Sequence, residues 1–238
     1  VCSREDHADW FAATIGGLGL TGVVTQATIR LRRICGTAMA VRNTRYTGLD
    51  DFFARNAEAE KTHEYAVAWI DCLAKTPRGV LMAGDHADGD EPAPRGAKRV
   101  PLTPPVSLIN GLSLAAFNTA YYGKPWPAKT RQHYMPYFYP LDAIHDWNRI
   151  YGKPGFYQYQ CVVPPVSARA AIGEMLDTIA ASGQGSFLAV LKNFGARPAS
   201  GLLSFPMPGT TLALDFPNHG VPTLALFDRL DAIVRAAG

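Results

Sequence analysis

The sequence GFYQYQCVVPPVSARAAIGEMLDTIAASGQGSFLAVL (residues 155–191) contains, in close succession, the patterns of a strand, a helix and a second strand. Residues 155–163 alternate in side-chain type with period two, which predicts a strand. Ser167 is a suitable N-cap and Gly183 a suitable C-cap, so a helix is predicted between them. The short apolar run over residues 187–191 predicts a buried strand. The helix has one apolar side, formed by Ile172, Met175, Leu176 and Ile179.

A similar succession occurs earlier in the chain. Residues 37–43 are predicted as a strand, and Thr47 with Asp50 resembles a capping box at the start of a helix. Two further strands are predicted over residues 64–71 and 79–84, joined by a turn. The chain therefore contains two units of the order β-α-β-β.

These two units define the predicted fold class. The second unit is completed by a strand over residues 210–216, and Pro222 begins a last helix. Strands joined by hairpins are antiparallel, which excludes a purely parallel sheet. We therefore predict an α+β fold, in which an antiparallel sheet has helices packed on one face and a long insertion separates the two units.

Four further segments complete the predicted secondary structure. Residues 7–14 are predicted as a short helix, and the alternation from Val23 to Arg33 predicts a half-buried strand. Residues 85–136 contain eight prolines and no sustained period, which is typical of a functional or mobile loop. A helix is predicted over residues 141–151.

Composition limits the class of protein. The chain has 238 residues, of which 47% are hydrophobic and 18% charged, so a packed core is expected and disorder is excluded. The net charge of +3 is too small and too scattered for a nucleic-acid surface. No apolar run is long enough to span a membrane. The four cysteines (Cys2, Cys35, Cys72 and Cys161) form no CxxC pair, which favours a reducing cytoplasm over a disulfide framework or a zinc site.

A glycine-rich motif precedes the predicted strand at Val23. Gly17, Gly19 and Gly22 have the GxGxxG spacing of a dinucleotide-binding loop. That loop follows a strand and opens a helix, whereas here a helix comes first and a strand follows, so a Rossmann-type NAD site is rejected. Two interpretations remain open: a tight turn, or backbone amides that lie against a flat cofactor.

Several polar residues on the predicted strands are candidates for a site. Period two puts Gln158 and Gln160 on one face, where two amides suit a polyol or a ring carbonyl, although a solvated face is the simpler interpretation. Lys192 ends a buried strand and either extends to water or presents its ammonium to a developing alkoxide. Asp215 lies near the end of another apolar strand, and it too is either a solvated side chain or a functional one.

An aromatic cluster and an acidic segment are two further candidates for a functional role. Thirteen aromatic residues lie between Phe117 and Tyr159, which indicates either core or the wall of a pocket. The acidic segment over residues 85–91 lacks the ligand spacing of a calcium loop and is interpreted as a solvated turn, so no metal site is predicted.

Seven short motifs follow one another along the chain: residues 11–24 (FAATIGGLGLTGVV), 140–142 (PLD), 147–149 (WNR), 155–160 (GFYQYQ), 186–195 (SFLAVLKNFG), 203–209 (LSFPMPG) and 214–217 (LDFP). Together they resemble the FAD-linked oxidases of the vanillyl-alcohol-oxidase type. Within these oxidases they are similar to the branch of the decaprenylphosphoryl-ribose oxidases and related aldonolactone oxidases. The motifs extend over nearly the whole chain.

The resemblance implies a domain organisation. Residues 1–36 would be the C-terminal tail of an FAD-binding domain and residues 37–238 the substrate-binding (cap) domain. The start at Val1, without an initiator Met, and the end at Gly238 fit a fragment of a longer flavoprotein. The FAD would belong to that parent, and this chain alone is expected neither to hold it tightly nor to be active.

The resemblance also implies roles for individual residues. The turn would lie against the flavin through Gly17, Leu18, Gly19, Thr21 and Gly22. The catalytic set would be Lys192, Gln158 and Gln160, and the substrate-binding set Trp69, Phe138, Phe194 and Asp215. The chain departs from the usual pattern at Phe138, Thr211 and Ala213, so the substrate would be a sugar alcohol or an aldonolactone. A reductase is a further expected partner of the parent.

Two hypotheses from different classes follow. In the first, the chain is the substrate domain of an FAD-dependent oxidoreductase that moves a hydride from a CH–OH group to flavin. In the second, it is a stand-alone α+β ligand-binding module without redox activity. The ordered combination of glycine turn, glutamine pair and Lys192 favours the first.

Overall fold

The computed structural model describes residues 1–238, and its helices and strands are as follows. The helices are α1 (Ala8–Thr14), α2 (Leu49–Thr62), α3 (Gly111–Gly123), α4 (Tyr134–Phe138), α5 (Pro165–Ser182) and α6 (Val221–Ala237). The strands are β1 (Ala38–Thr47), β2 (Tyr65–Asp71), β3 (Arg78–His86), β4 (Lys98–Arg99), β5 (Lys129–His133), β6 (Ile144–His145), β7 (Phe156–Val163), β8 (Ala189–Phe194) and β9 (Gly209–Pro217).

Seven of the strands form one antiparallel sheet of order β5-β1-β3-β2-β8-β9-β7. Each β-α-β-β unit contributes three adjacent strands. The first unit contributes β1, β3 and β2, and the second contributes β7, β9 and β8, each given from the outside of the sheet to its centre. The two second strands, β2 and β8, pair at the middle, where Trp69 lies opposite Val190. Apart from β5, the sheet thus consists of two copies of one strand arrangement, and the predicted α+β class is confirmed.

The core lies between one face of this sheet and the helices α2, α5 and α6. A cluster of 25 buried residues fills this layer, including Phe52 from α2, Ile172 from α5 and Leu230 from α6. On β9, Leu212 and Phe216 point into it and are fully buried. Burying side chains of this size contributes about 1.5 to 3 kcal/mol each, so this layer is the main source of stability. We call this side of the sheet the helix face.

The strand predicted from Val23 to Arg33 is absent. Residues 22–34 form no regular structure, and their apolar side chains are largely exposed, including Ile29 and Leu31. A strand exists only where its backbone groups pair with a neighbour, and no backbone group of residues 23–34 has a backbone partner in the chain. Alternation of side chains is therefore not sufficient evidence for a strand.

Two further predictions are wrong: the helix over residues 141–151 and the N-cap of α5. The helix expected over residues 141–151 is replaced by two 3₁₀ turns, Pro140–Ala143 and Trp147–Tyr151, with the short β6 between them. Ser167 does not cap α5; its hydroxyl lies within the first turn and donates to the carbonyl of Pro164, which is the N-cap.

The predicted capping box of α2 is also wrong. The N-cap is Gly48, and no side chain caps it. Instead the Asp51 carboxylate accepts from the backbone N–H of Thr47 at 3.1 Å, one residue away from the predicted acid, Asp50.

The long insertion contains more regular structure than its prolines suggest. It includes α3, whose N-cap Asn110 accepts from the backbone of Ser113 while Ser113 returns a bond to the Asn110 N–H. This capping box is a sequence signal for the start of a helix. It was missed because the residues that follow it show no apolar period. The insertion also supplies β5 at the edge of the sheet.

The C-cap of α5 gives a first testable prediction. Gly183 has φ +68°, and a Cβ added there meets no atom within 4 Å, so backbone strain is the only cost of a side chain. We expect Gly183→Ala to lower the free energy of unfolding by about 1 kcal/mol in a urea titration. Gly123→Ala, at the end of α3 without a positive φ, is the matched control. An equal loss in both variants would contradict the strain argument.

Candidate functional site

The predicted polar residues lie on the sheet face that points away from α2, α5 and α6, which we call the opposite face. Gln158 pairs with Asp215, and Gln160 pairs with Ala213, in the β7–β9 register. Because Leu212 and Phe216 point to the helix face, period two places Asp215 and both glutamines on the opposite face.

The central strands bring two more predicted residues to the same face. Lys192 lies opposite Thr211 on β9, and Thr211 in turn lies opposite Val162 on β7. Trp69 on β2 lies opposite Val190 on β8, two residues from Lys192 along its strand. One face therefore carries an amide pair, an ammonium and an indole, contributed by both β-α-β-β units.

The two glutamines are exposed and differ in their partners. Gln160 donates from Nε2 to the hydroxyl of Thr211 at 3.1 Å, which fixes that amide and leaves its oxygen available. Gln158 is exposed at the β7 edge of the sheet. The pair thus supplies both acceptors and donors to a ligand with several hydroxyl groups.

Lys192 is half-buried beside an aromatic ring. Its Nζ lies 5.1 Å from the centroid of the Phe194 ring, and no carboxylate lies within salt-bridge distance of it. The Phe205 ring packs edge-on against Phe194 at 6.1 Å. An ammonium without a counter-ion next to apolar rings is able to stabilise negative charge that develops on a ligand.

The side-chain carboxylate of Asp215 is buried. Its residue is 1% exposed, and neither carboxylate oxygen has a hydrogen bond of normal geometry. Burial raises the pKa of this carboxyl to about 6, and the adjacent Gln158 amide offsets part of the rise. The structure therefore places Asp215 below the surface, beside Gln158.

The aromatic insertion covers Trp69. The Tyr121 ring of α3 lies 4.7 Å from the indole, and the indole Nε1 donates to the Phe187 carbonyl at 2.8 Å. Lys124 lies 3.6 Å above the Trp126 ring and 4.6 Å above the Tyr121 ring. Trp69 is only 4% exposed as a result. The insertion thus forms a wall over the centre of the opposite face.

A buried carboxylate fastens this wall to the sheet. Asp71 accepts from Asn118 of α3 at 2.8 Å and from Arg78 at 3.0 Å. We expect Asp71→Ala to lower the free energy of unfolding by about 2 kcal/mol, because both donors lose their partner. Denaturant titration followed by tryptophan fluorescence measures it. Asp177→Ala, at an exposed position on α5, is the control, and equal losses in the two variants would contradict this role.

Phe138 lies in a separate cluster on the first unit. Its ring packs against Tyr65 at 5.0 Å and His86 at 6.0 Å, beside the Tyr137 ring of the same helix. This cluster rests on Val67 and Met82 of β2 and β3. The structure does not pack Phe138 against the glutamine pair.

The glycine-rich turn follows α1 and contacts the loop between β8 and β9. The Leu202 N–H donates to the Ala12 carbonyl at 3.1 Å, and Ser204 lies against Gly16. Gly19 and Gly22 have positive φ values of 76° and 125°, with open space at both Cβ positions. This turn opens no helix, so rejection of a dinucleotide-binding loop stands. At Gly19 and Gly22 the exposed backbone has no side chain above it, which leaves room for the edge of a flat cofactor.

One cavity of the chain lies away from this face. It has a volume of about 540 Å³ and is formed between α1 and residues 197–200, with Arg4 and Arg197 in its lining. None of the candidate site residues lines it, and it is open to solvent. The assignment of the site therefore depends on the shared sheet face and not on this cavity.

The acidic segment and the cysteines have the following surroundings in the structure. No group of three or more His, Cys, Asp or Glu side chains is arranged to hold a metal ion. The acidic segment is used in local contacts: Asp85 binds His63, Asp90 binds Thr37 and Glu91 binds Arg131. All four cysteines are free thiols. No helix has the length and apolar character that crossing a membrane requires.

Comparison with known proteins gives the following. No family model matches the chain. It is 35% identical, over 88% of its length, to the decaprenylphosphoryl-β-D-ribose oxidase of Mycolicibacterium smegmatis, of which it spans 49%, about half. It is 29% identical, over 96% of its length, to an uncharacterized protein encoded in the mprA 5′ region of Streptomyces coelicolor, of which it spans 67%.

Solved structures show weaker likeness. A variant of berberine bridge enzyme matches 84% of the chain with a TM-score of 0.45 and 12% identity, over 41% of that enzyme. A variant of Phl p 4, a glucose oxidase, matches 84% of the chain with a TM-score of 0.44 and 9% identity, also over 41% of its length. The 35% sequence identity to the ribose oxidase confirms the resemblance to an FAD-linked oxidase.

Proposed function

We propose that residues 37–238 form the substrate domain of an FAD-dependent oxidoreductase that oxidises a CH–OH group of a sugar alcohol or sugar lactone. Residues 1–36 are the end of its FAD-binding domain. One observation carries the proposal: the sheet brings Gln158 and Gln160 of β7, Lys192 of β8 and Trp69 of β2 to one face, from three different strands. The sequence similarity to a ribose oxidase supports the same conclusion.

The FAD would be held in part by this chain. The contacts to it would be made by the backbone of Gly17, Leu18, Gly19, Thr21 and Gly22. When bound, FAD supplies the acceptor for the hydride that leaves the substrate carbon. The glycine turn by itself contains no site for the pyrophosphate, so the 238-residue chain is expected to hold FAD weakly and to be inactive alone.

The residues of the opposite face have distinct tasks. Gln158 and Gln160 bind and orient the hydroxyls of the sugar, because their amides offer both donors and acceptors. Lys192 places its ammonium beside the reacting oxygen and stabilises the negative charge that develops there while the hydroxyl proton passes to water. Phe194 forms an apolar wall, and the buried Trp69 supports the Tyr121 ring of the insertion that covers it. Phe138 lies further along the same side and would contact a larger substrate.

The positions where the chain departs from its relatives concern the same face. Thr211 and Ala213 lie on β9 between Lys192 and the glutamines. Both side chains are small, which leaves room above the sheet for a sugar ring. The proposal also includes a partner reductase for the parent and a cytoplasmic location, the latter because the cysteines suit a reducing compartment.

The experiment is a substrate panel with the full-length protein. Oxidation of sugar alcohols and aldonolactones is followed with an artificial electron acceptor, alongside Gln160→Ala and the exposed control Gln26→Ala. We expect turnover of a member of the panel, abolished only by Gln160→Ala. Binding of a sugar by a protein that retains no flavin would instead support the stand-alone binding module.

A further inference from the structure

A buried carboxylate lies directly beside the exposed amide of Gln158. Asp215 and Gln158 are paired residues in the antiparallel β7–β9 register, and both side chains leave the same face. The Cβ atoms of such pairs are about 4.5 to 5.5 Å apart. The Asp215 residue is 1% exposed, whereas Gln158 is open to solvent.

The space around this carboxylate contains unsatisfied polar atoms. Both oxygens of Asp215 lack a hydrogen-bonding partner, and so does the hydroxyl of Tyr151, which is fully buried. Buried polar groups in native proteins are nearly always paired. Unpaired polar atoms next to Gln158 indicate that the hydrogen bonds around Asp215 change with the protonation state of its carboxyl.

Few groups compete for the Asp215 carboxylate. From the turn before β7, Tyr151 faces it; burial and the nearby Asp215 charge raise the pKa of that phenol, which therefore stays neutral. From the segment before β8, the Ser186 hydroxyl is already committed, since it donates to the Leu188 carbonyl and accepts from the Asp215 N–H. From β7, only Gln158 faces it.

We propose that Asp215 is a positioning residue whose protonation state sets which end of the Gln158 amide is presented at the opposite face. An ionised carboxylate only accepts hydrogen bonds, so it attracts the Gln158 Nε2 group and turns Oε1 outward. A neutral carboxyl donates its O–H to Oε1 and turns Nε2 outward. The proton is exchanged with water, and Gln158 then offers a substrate either an acceptor or a donor.

The electrostatics support a change near neutral pH. Burial raises the pKa of Asp215 to about 6, against an ordinary value of 3.8. Tyr151 does not titrate in this range, and Lys192 lies two strands away from Gln158, across β9. Asp215 is thus the group that changes charge at this position as the pH passes through about 6.

The test is a pH titration of the 238-residue chain by NMR. The side-chain ¹⁵N–H₂ resonances of Gln158, assigned by their loss in Gln158→Ala, are followed between about pH 4.5 and 8. We expect them to shift with a midpoint near 6 in the wild type, to stay fixed in Asp215→Asn, and to titrate normally in Asp177→Asn. Resonances that do not titrate in the wild type, or still titrate in Asp215→Asn, overturn the inference.

The wild-type arm stands even if Asp215→Asn fails to fold, because the ¹³C resonance of the Asp215 carboxyl must then give the same midpoint as the Gln158 amide. Different midpoints overturn the inference. Its consequence for substrate recognition rests on the proposed function, but the two fail separately. A titrating amide in a full-length protein without oxidase activity removes only the proposed function, whereas an active oxidase with a fixed amide removes only this inference.

Discussion

Substitution of Lys192 by methionine in the full-length protein is expected to lower kcat/KM for the oxidised sugar by about 10²- to 10³-fold. The ammonium lies on the same face as the glutamine pair, beside the Phe194 ring and without a carboxylate partner. Methionine keeps the length and apolar stem of the side chain and removes only the charge. The loss therefore measures stabilisation of the developing alkoxide.

The control for this variant is Lys75→Met. Lys75 is exposed in the turn between β2 and β3, outside the opposite face, so its substitution should leave kcat/KM unchanged. Steady-state rates of both variants are measured with the substrate identified in the panel. A Lys192→Met protein that keeps more than half of the wild-type kcat/KM would show that this ammonium takes no part in the reaction.

Replacement of Asp215 by asparagine is expected to stabilise the chain at neutral pH. The pKa of the carboxyl is about 6 in the folded protein against an ordinary 3.8, so the native state binds more protons between these values. The free energy of unfolding of the wild type therefore falls as the pH rises from about 4 to 6 and stays low above. A shift of this size corresponds to a loss of up to about 3 kcal/mol.

The Asp215→Asn protein lacks this loss, because asparagine is neutral at every pH. Urea titrations at pH values on both sides of 6 should show a smaller pH dependence in this variant than in the wild type. The control is Asp177→Asn, which changes an exposed carboxylate on α5 and should keep the wild-type profile. If Asp215→Asn is less stable than the wild type above pH 6, the carboxylate has a partner that this account has missed.

The extent to which the fold was predictable varies along the chain. The β7-α5-β8 stretch was readable because its strand period, its apolar helix side and Gly183 all agree with the final structure. Residues 23–33 carried only alternation, and a strand also requires a partner for its backbone, which the sequence does not display. Local signals thus succeed where several coincide.

The helix in the insertion was not predicted, because its sequence lacks an apolar period. Helix α3 buries only Leu114 and Asn118 among its residues and packs through aromatic rings and polar anchors. Its apolar residues therefore show no period that separates an inner from an outer side. The Asn110 capping box was its local signal, and the neighbouring prolines obscured it.

The candidate site was predictable within single strands and less so across them. Period two places Gln158 and Gln160 together, and the sequence shows this directly. Lys192 and Trp69 share a face because β2 pairs with β8. This pairing joins residues that are 121 to 123 positions apart, and no local sequence pattern predicts it. The burial of Asp215 under Tyr151 depends on tertiary packing in the same way.

The most direct test of the account is the structure of the full-length protein with FAD bound. The account predicts that the isoalloxazine ring lies over the opposite face of the sheet, within reach of Lys192 and Gln160, with the turn at Gly17–Gly22 against its edge. A ring that lies against the helix face, or in the cavity beside Arg4 and Arg197, would contradict the assignment of these residues to the substrate side of a flavin.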